Sequence, residues 1–224
     1  MGQLTADHLA DGLLHAVQPI QRHTAAATIR SVIAGVLLAK WSIDQQPGGH
    51  QGTGLDWSTI HTAGSPGDVL NGWMAQLEHE HPNALAGLST MADFARDVEP
   101  RTLTTLVSLL DGVPLQTEAL EFPDTVGSAL DRVLDRLPDP AGRWSGAYRT
   151  PASVVRLMVR LAAPHRGQRI CDPFVGTAGM LIGARDHVAD QTRPGHRQPP
   201  RLAGQDVDPR ACLLAQINLL LHGV

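Results

Sequence analysis

The sequence predicts an α/β chain in two unequal parts, a helical half followed by the beginning of a parallel sheet. Three observations carry this reading. Apolar residues before position 137 recur at helical spacing and nowhere alternate for long. Residues 138–147 (Pro-Asp-Pro-Ala-Gly-Arg-Trp-Ser-Gly-Ala) form a turn-rich hinge. Beyond it a strand, a glycine loop, a helix, a second strand and a second helix follow in order, the alternation of a parallel sheet.

The elements can be justified in turn. Leu9, Leu13, Leu14 and Val17 make one helical face over residues 5–17. Thr24 reads as the N-cap of a second helix through Ile29, Ile33, Val36, Leu37 and Trp41. Residues 44–56 hold too many glycines for a helix or strand and form a loop. Ser65-Pro66 opens a helix to about His79, with proline in the first turn where its missing N–H costs nothing. Further helices are expected over Ala84–Asp97, Arg101–Leu110 and Pro123–Leu137. After the hinge come an amphipathic helix Pro151–Ala163, a strand at Arg169–Asp172, a helix Thr177–Val188 and a Pro- and Arg-rich loop 191–201. A strand Leu202–Val207 and a helix Pro209–Leu221 complete the series.

Composition narrows the class. With 42% apolar and 18% charged residues in 224, the chain is neither disordered nor a coiled coil, and aromatics at 4% leave the core to Leu, Ala and Val. Unbroken apolar runs such as Val36–Ala39 fall far short of the ~20 residues of a bilayer span, and no secretory leader opens the chain. Cys171 and Cys212 lack metal-ligand spacing, so a reducing cytoplasm is the expected compartment. The net charge of -4 is uneven: residues 1–140 carry seven Lys/Arg against seventeen Asp/Glu, and residues 141–224 carry eleven Arg against five Asp. The second segment suits a polyanion, although its arginines are spread rather than focused.

Three segments hold the candidate chemistry. In Cys171-Asp172-Pro173-Phe174-Val175-Gly176-Thr177-Ala178-Gly179, an acid ends a strand and a glycine loop leads into a helix. Gly176 lets backbone approach a ligand, Gly179 allows close helix–strand packing, and the helix N-terminus offers unpaired N–H groups. The carboxylate of Asp172 suits an amine-bearing or cationic ligand better than a pyrophosphate; an ordinary strand-to-helix turn has the same outline. In Gly204-Gln205-Asp206-Val207-Asp208-Pro209, Asp206 stands thirty-four residues after Asp172, where a carboxylate can accept from both hydroxyls of a ribose. Asp208 before proline is instead a helix N-cap. The third segment is Gly146-Ala147-Tyr148-Arg149-Thr150-Pro151, in which Thr150 reads as an N-cap. Tyr148 and Thr150 there suit a carboxylate or an adenine face.

In this order and spacing, with Asn218-Leu-Leu-Leu-His222-Gly223 after them, the three segments resemble the modification (M) subunit of type I restriction–modification systems, a family of N6-adenine DNA methyltransferases. The resemblance is close over Ser145–Val224 and architectural before residue 137. It implies a helical N-terminal domain (1–137), the hinge (138–147) and the first part of a Rossmann-like S-adenosylmethionine-dependent methyltransferase domain (148–224). It implies cofactor contacts at Ala147, Tyr148, Arg149, Thr150, Pro151 and Ala152, at Asp172, Gly176, Thr177, Ala178 and Gly179 around the methionine end, and at Asp206 on the ribose. It also implies DNA, a specificity subunit and a restriction subunit as partners. Asp206 stands where the family more often has Glu, one methylene longer.

The family's catalytic Asn-Pro-Pro-Phe/Tyr motif, which holds the flipped adenine, occurs nowhere in the 224 residues. The chain is therefore expected to be truncated, with no catalytic residue of its own and no methyl transfer by itself. Two other readings remain at this stage: a methyltransferase fragment for a small molecule or peptide, and a non-catalytic assembly protein docking through its acidic half. Helix Pro209–Leu221 is apolar on more than one face, so residues 145–224 are expected to be loosely ordered, to self-associate or to need a complementing polypeptide, while the helical half folds alone. Glu78-His79-Glu80-His81 lacks metal-binding spacing and reads as a solvated helix end. Trp41, Trp57 and Trp73 read as packing anchors, and His222 as a helix C-terminal residue beside the Gly223 cap.

Overall fold

The computed structural model describes residues 3–45, 57–62, 64–82, 85–91, 98–116, 120–122, 124–137, 149–191 and 199–224. The hinge 138–147, with Ala147 and Tyr148, and most of the loops 44–56 and 191–201 lie outside the described residues.

The helical half comprises α1 (Ala6–Val17), α2 (Ala26–Asp44), α3 (Trp57–Thr62), α4 (Pro66–Glu80), α5 (Leu88–Met91), α6 (Pro100–Leu110) and α7 (Thr125–Arg136). At its centre is α2, whose Ile29, Ile33, Val36, Leu37 and Leu38 are buried and which packs against α4, α6 and α7. By length and a mean hydropathy of 1.4, α2 is apolar enough to cross a bilayer. Its surroundings explain that composition: 67% of its most apolar window is buried within the protein. Its one buried cation, Lys40, pairs with Asp44 beneath the Trp57 ring. Trp57 and Trp73 are buried in the same core and Trp41 is packed against it, so all three anchor helices.

After the hinge, α8 (Ala152–Ala162), β1 (Arg169–Asp172), α9 (Gly179–Asp190), β2 (Arg201–Gly204) and α10 (Pro209–Leu221) follow in the predicted order. β1 and β2 pair in parallel, with Arg169 opposite Arg201 and Asp172 opposite Gly204. On this pair, α9 buries Leu181 and Ile182, with Val175 and Ala178 of the loop that precedes it. Val155 and Val159 of α8 pack against Ala184 of α9. Gly183 permits that approach, since a Cβ there would stand 2.8 Å from Val155 Cγ1.

Several local expectations are corrected. Thr24 does not cap α2: its N–H closes a turn onto the Ile20 carbonyl, and the helix begins two residues later. Thr150 does not cap α8, because Pro151 takes the N-cap place with its carbonyl accepting from Val154 and Val155. The residue before a proline is pushed out of the helical region, which sets Thr150 one position too far out. α9 starts at Gly179 rather than Thr177, because Ala178 turns left-handed with φ 66°. Over residues 85–91, helix begins at Leu88 and not before, and α3 was not anticipated. Glu78 is not merely solvated: it accepts from the N–H groups of Gly87 (2.6 Å) and Ser89 (2.7 Å) and so starts α5. Ser65 and Asp208 do cap α4 and α10, as read from sequence.

The largest correction concerns α10. Its two apolar faces both find partners: Leu213, Leu214, Ile217 and Leu221 join the core of the helical half, against α2 and α7, while Ala215 and Leu219 pack under the β1–α9–β2 unit. The α10 surface expected to be bare is covered by the helical half, whereas Leu157, Met158 and Leu161 of α8 stay exposed. Ile217→Ala is expected to destabilise the chain by about 2–5 kcal/mol. Three of the four tryptophans lie in the helical half. Their fluorescence in a urea titration is expected to shift to lower denaturant in this variant; an unshifted midpoint would mean that the two halves unfold separately.

Candidate functional site

The site residues gather where β1 and β2 end. Past β1, the Asp172 carboxylate accepts from the Phe174 N–H at 3.0 Å and turns the chain. The loop then rejoins the second strand, Val175 N–H donating to the Gln205 carbonyl and Gln205 N–H to that of Asp172. Gly176 follows in a left-handed conformation, φ 51°, with open space where a Cβ would point. Past β2, Asp206 lies two residues beyond the strand, not within it as predicted. One of its carboxylate oxygens accepts from Gly176 N–H (3.0 Å) and the other from Asp208 N–H (3.0 Å). Asp206 therefore ties the two loops together. The N-terminus of α9 has no side-chain cap, so its first N–H groups face the loop uncommitted to a side chain.

Not every predicted residue takes the predicted part. Gly179 opens α9, but a Cβ there would meet nothing, so close packing is not its reason; Gly183 does that job. Arg149 is turned toward α7, donating to the Asp131 carboxylate (2.7 Å) and carbonyl (3.1 Å) and pairing with Asp135 (2.9 Å). A cavity of about 370 Å³ between α8 and α9 is lined by Arg149, Thr150, Ala152 and Gly179 of the predicted set, but not by Asp172 or Asp206. Burial pushes the carboxyl of Asp186, which also lines it, above its ordinary value against the pull of Arg185. Phe174 (82% exposed) and Val207 (97% exposed) present bare apolar surface on the two loops. Sequence reading passed over both; an apolar residue beside each loop acid was the available signal.

Behind the loops lies a polar cluster that the sequence did not announce. Asp131 of α7 receives Arg149 and Asn218 Nδ2 (3.0 Å) on one carboxylate oxygen and faces His222 Nε2 at 3.3 Å with the other. Asn218 also donates to the Thr177 carbonyl at 2.8 Å. Asn218 and His222 are buried, so His222 is both the C-cap of α10, as read from sequence, and an interior partner of α7. Gly127 makes the room, because a Cβ there would stand 2.5 Å from the His222 ring. Burial alone would raise the Asp131 carboxyl. Contact with His222, the charges of Arg149 and His222, and the Asn218 amide outweigh it and hold the group below its ordinary value. A carboxyl depressed in the folded state contributes stability that is full above its unfolded value and is lost as pH falls through the folded one. The stability gap between the natural chain and Asp131→Asn is therefore expected to narrow as pH drops below about 4. Urea midpoints at pH 7 and pH 3 check this, and an equal gap at both contradicts it.

Comparison with known proteins accords with this geometry. The family model for N-6 DNA Methylase matches residues 121–224, a span that begins just before α7. The type I restriction enzyme HindI methylase subunit of Haemophilus influenzae is 29% identical over 101 residues, covering 45% of this chain and 22% of that protein. The EcoEI methylase subunit of Escherichia coli is 37% identical over 84 residues, 36% of this chain and 17% of its own length. The chain thus spans about a fifth of the length of these curated relatives. The type I restriction–modification methyltransferase subunit from Streptococcus thermophilus superposes with a TM-score of 0.63 at 16% identity, over 99% of this chain and 57% of that one, which shows a shared fold. Over residues 121–224 the chain is thus similar to N-6 DNA methylases, and the curated relatives it matches are methylase subunits of type I restriction enzymes.

Proposed function

We propose that this chain binds S-adenosylmethionine across the loops that leave β1 and β2, as the cofactor-binding part of an adenine-specific (N6) DNA methyltransferase. The observation that carries the reading is the join between the loops: Asp206 holds Gly176 N–H, open space lies over Gly176, and α9 begins uncapped beside it. When bound, the cofactor supplies an electrophilic methyl group on its sulfonium. A carboxylate has about four lone-pair sites, so after its two backbone bonds Asp206 keeps acceptor capacity for the ribose hydroxyls. Asp172, half-buried at the end of β1, offers a negative charge for the methionine ammonium, next to the N–H groups that suit its carboxylate. Thr177 and Ala178 follow in the loop after β1, and Gly179, which opens α9, shares the cavity between α8 and α9 with Thr150 and Ala152. Phe174 and Val207 give apolar surface for the adenine ring. In this reading Arg149 positions the segment before α8 rather than touching the cofactor.

The match of residues 121–224 to N-6 DNA methylases and the likeness to type I methylase subunits support DNA as the substrate, with a specificity subunit and a restriction subunit as partners in the cytoplasm. The 224 residues contain no Asn-Pro-Pro run to hold an extruded adenine, so this chain by itself is proposed to bind cofactor without transferring its methyl group. Isothermal titration with S-adenosylmethionine tests the site. Asp206→Ala is expected to weaken binding by roughly ten- to a hundred-fold, by loss of the ribose bonds and of the loop join. Gly176→Val puts a branched side chain at a left-handed φ and is expected to abolish binding. Equal affinities in all three proteins would remove the assignment. In a radiolabelled methyl-transfer assay on duplex DNA the chain alone is expected to give no incorporation; clear incorporation would mean that another motif positions the adenine.

A further inference from the structure

We propose that Asp131 is a positioning residue for the cofactor loop, although it lies on a helix of the helical half and reaches the loop only through Asn218. The inference rests on reading the loop after β1 as the cofactor loop. Its support is a chain of contacts between buried or half-buried groups. Asp131 takes Asn218 Nδ2 at 3.0 Å, and the same amide holds the Thr177 carbonyl at 2.8 Å. Asn218 is 0% exposed, so its amide has no water to turn to and its orientation is set by these two acceptors. The oxygen that fixes Asn218 also anchors Arg149 at 2.7 Å, at the entrance to α8. One carboxylate oxygen thus sets both the loop after β1 and the segment before α8, the two places where the site borders the rest of the chain.

The loop's other ties run elsewhere. Val175 donates to Gln205, Gly176 to Asp206, and Ala178 back to Val175, all within the β1–β2 side of the molecule. The Thr177 carbonyl links the loop to Asp131, immediately before Ala178 takes its left-handed turn and α9 begins. Releasing that carbonyl frees the backbone that orients the first N–H groups of α9, while the core packing of α2, α6 and α7 stays in place. The loop thereby becomes more mobile without the fold being lost.

Hydrogen exchange read by mass spectrometry on the cofactor-free chain tests this without reference to cofactor binding. In Asp131→Ala and Asn218→Ala, amides of residues 174–179 are expected to exchange at least ten-fold faster, with α2 and α6 as protected as in the natural chain. Asp131→Asn, which keeps an acceptor for Asn218, is expected to restore much of the loop protection. Should Asp131→Ala fail to fold, Asn218→Ala carries the test, since it cuts the loop arm and leaves the Asp131–Arg149 pair. Unchanged loop exchange in Asn218→Ala overturns the proposal, as does a rise of the same factor in α2 and α6. Affinity for S-adenosylmethionine is measured beside it. A loop that loosens in a chain that never binds the cofactor would leave the positioning intact and sink the cofactor reading alone.

Discussion

A carboxylate half-buried between two halves of a protein gains from donors on both sides, and Asp131 is in that position here. Removing a carboxylate from water costs several kcal/mol unless its lone pairs are filled. Arg149 and Asn218 donate to Asp131 and His222 faces it at 3.3 Å, and each comes from beyond the hinge in sequence. The acid of the helical half takes its side-chain donors from the sheet-bearing half, and the buried Asn218 amide of that half is shared between the acid and the Thr177 carbonyl. The apolar contacts of α10 repeat the condition in another form, with Leu213, Ile217 and Leu221 seated in the helical core. Polar and apolar demands therefore bind the halves along one seam, and the seam runs directly behind the loops of the site.

Much of this was legible in the sequence, for physical reasons that can be named. Local signals were read well where one residue type decides the backbone: Ser65-Pro66 and Asp208-Pro209 start helices, and Arg169–Asp172 ends in the predicted acid and loop. Read through the family resemblance, those same loop residues lie together at the ends of two parallel strands. Errors arose where a neighbour in space decides. Thr24 and Thr150 had the right chemistry to cap, but the turn after Ile20 and the proline at 151 moved the helix starts past them. Gly179 looked like the packing glycine, yet Gly183 meets Val155, a residue on another helix.

The least legible feature was the one that matters most to the architecture. Helix α10 was correctly seen as apolar on several faces, but nothing local says which element covers each face. Nothing in the sequence marks Asp131, and the reading of His222 as a helix C-terminal residue beside the Gly223 cap says nothing of its partner. Only the packing of α7 against α10, close enough that Gly127 must lack a side chain, brings them within 3.3 Å. The charge imbalance between the halves bears on this seam too, since Arg149 from the arginine-rich side meets Asp131 and Asp135 of the acidic side.

The central claim is that the loops leaving β1 and β2 form one cofactor site backed by this seam. The most direct measurement is an amide-resolved nuclear magnetic resonance titration of the 224-residue chain with S-adenosylmethionine. The account predicts shift changes concentrated in residues 172–179 and 205–208, with a smaller response at Asn218 and Asp131 behind the loops. Saturable binding whose shift changes fall in α1–α6, or in the α8–α9 cavity around Arg156 and Asp190 and not in the two loops, would contradict it.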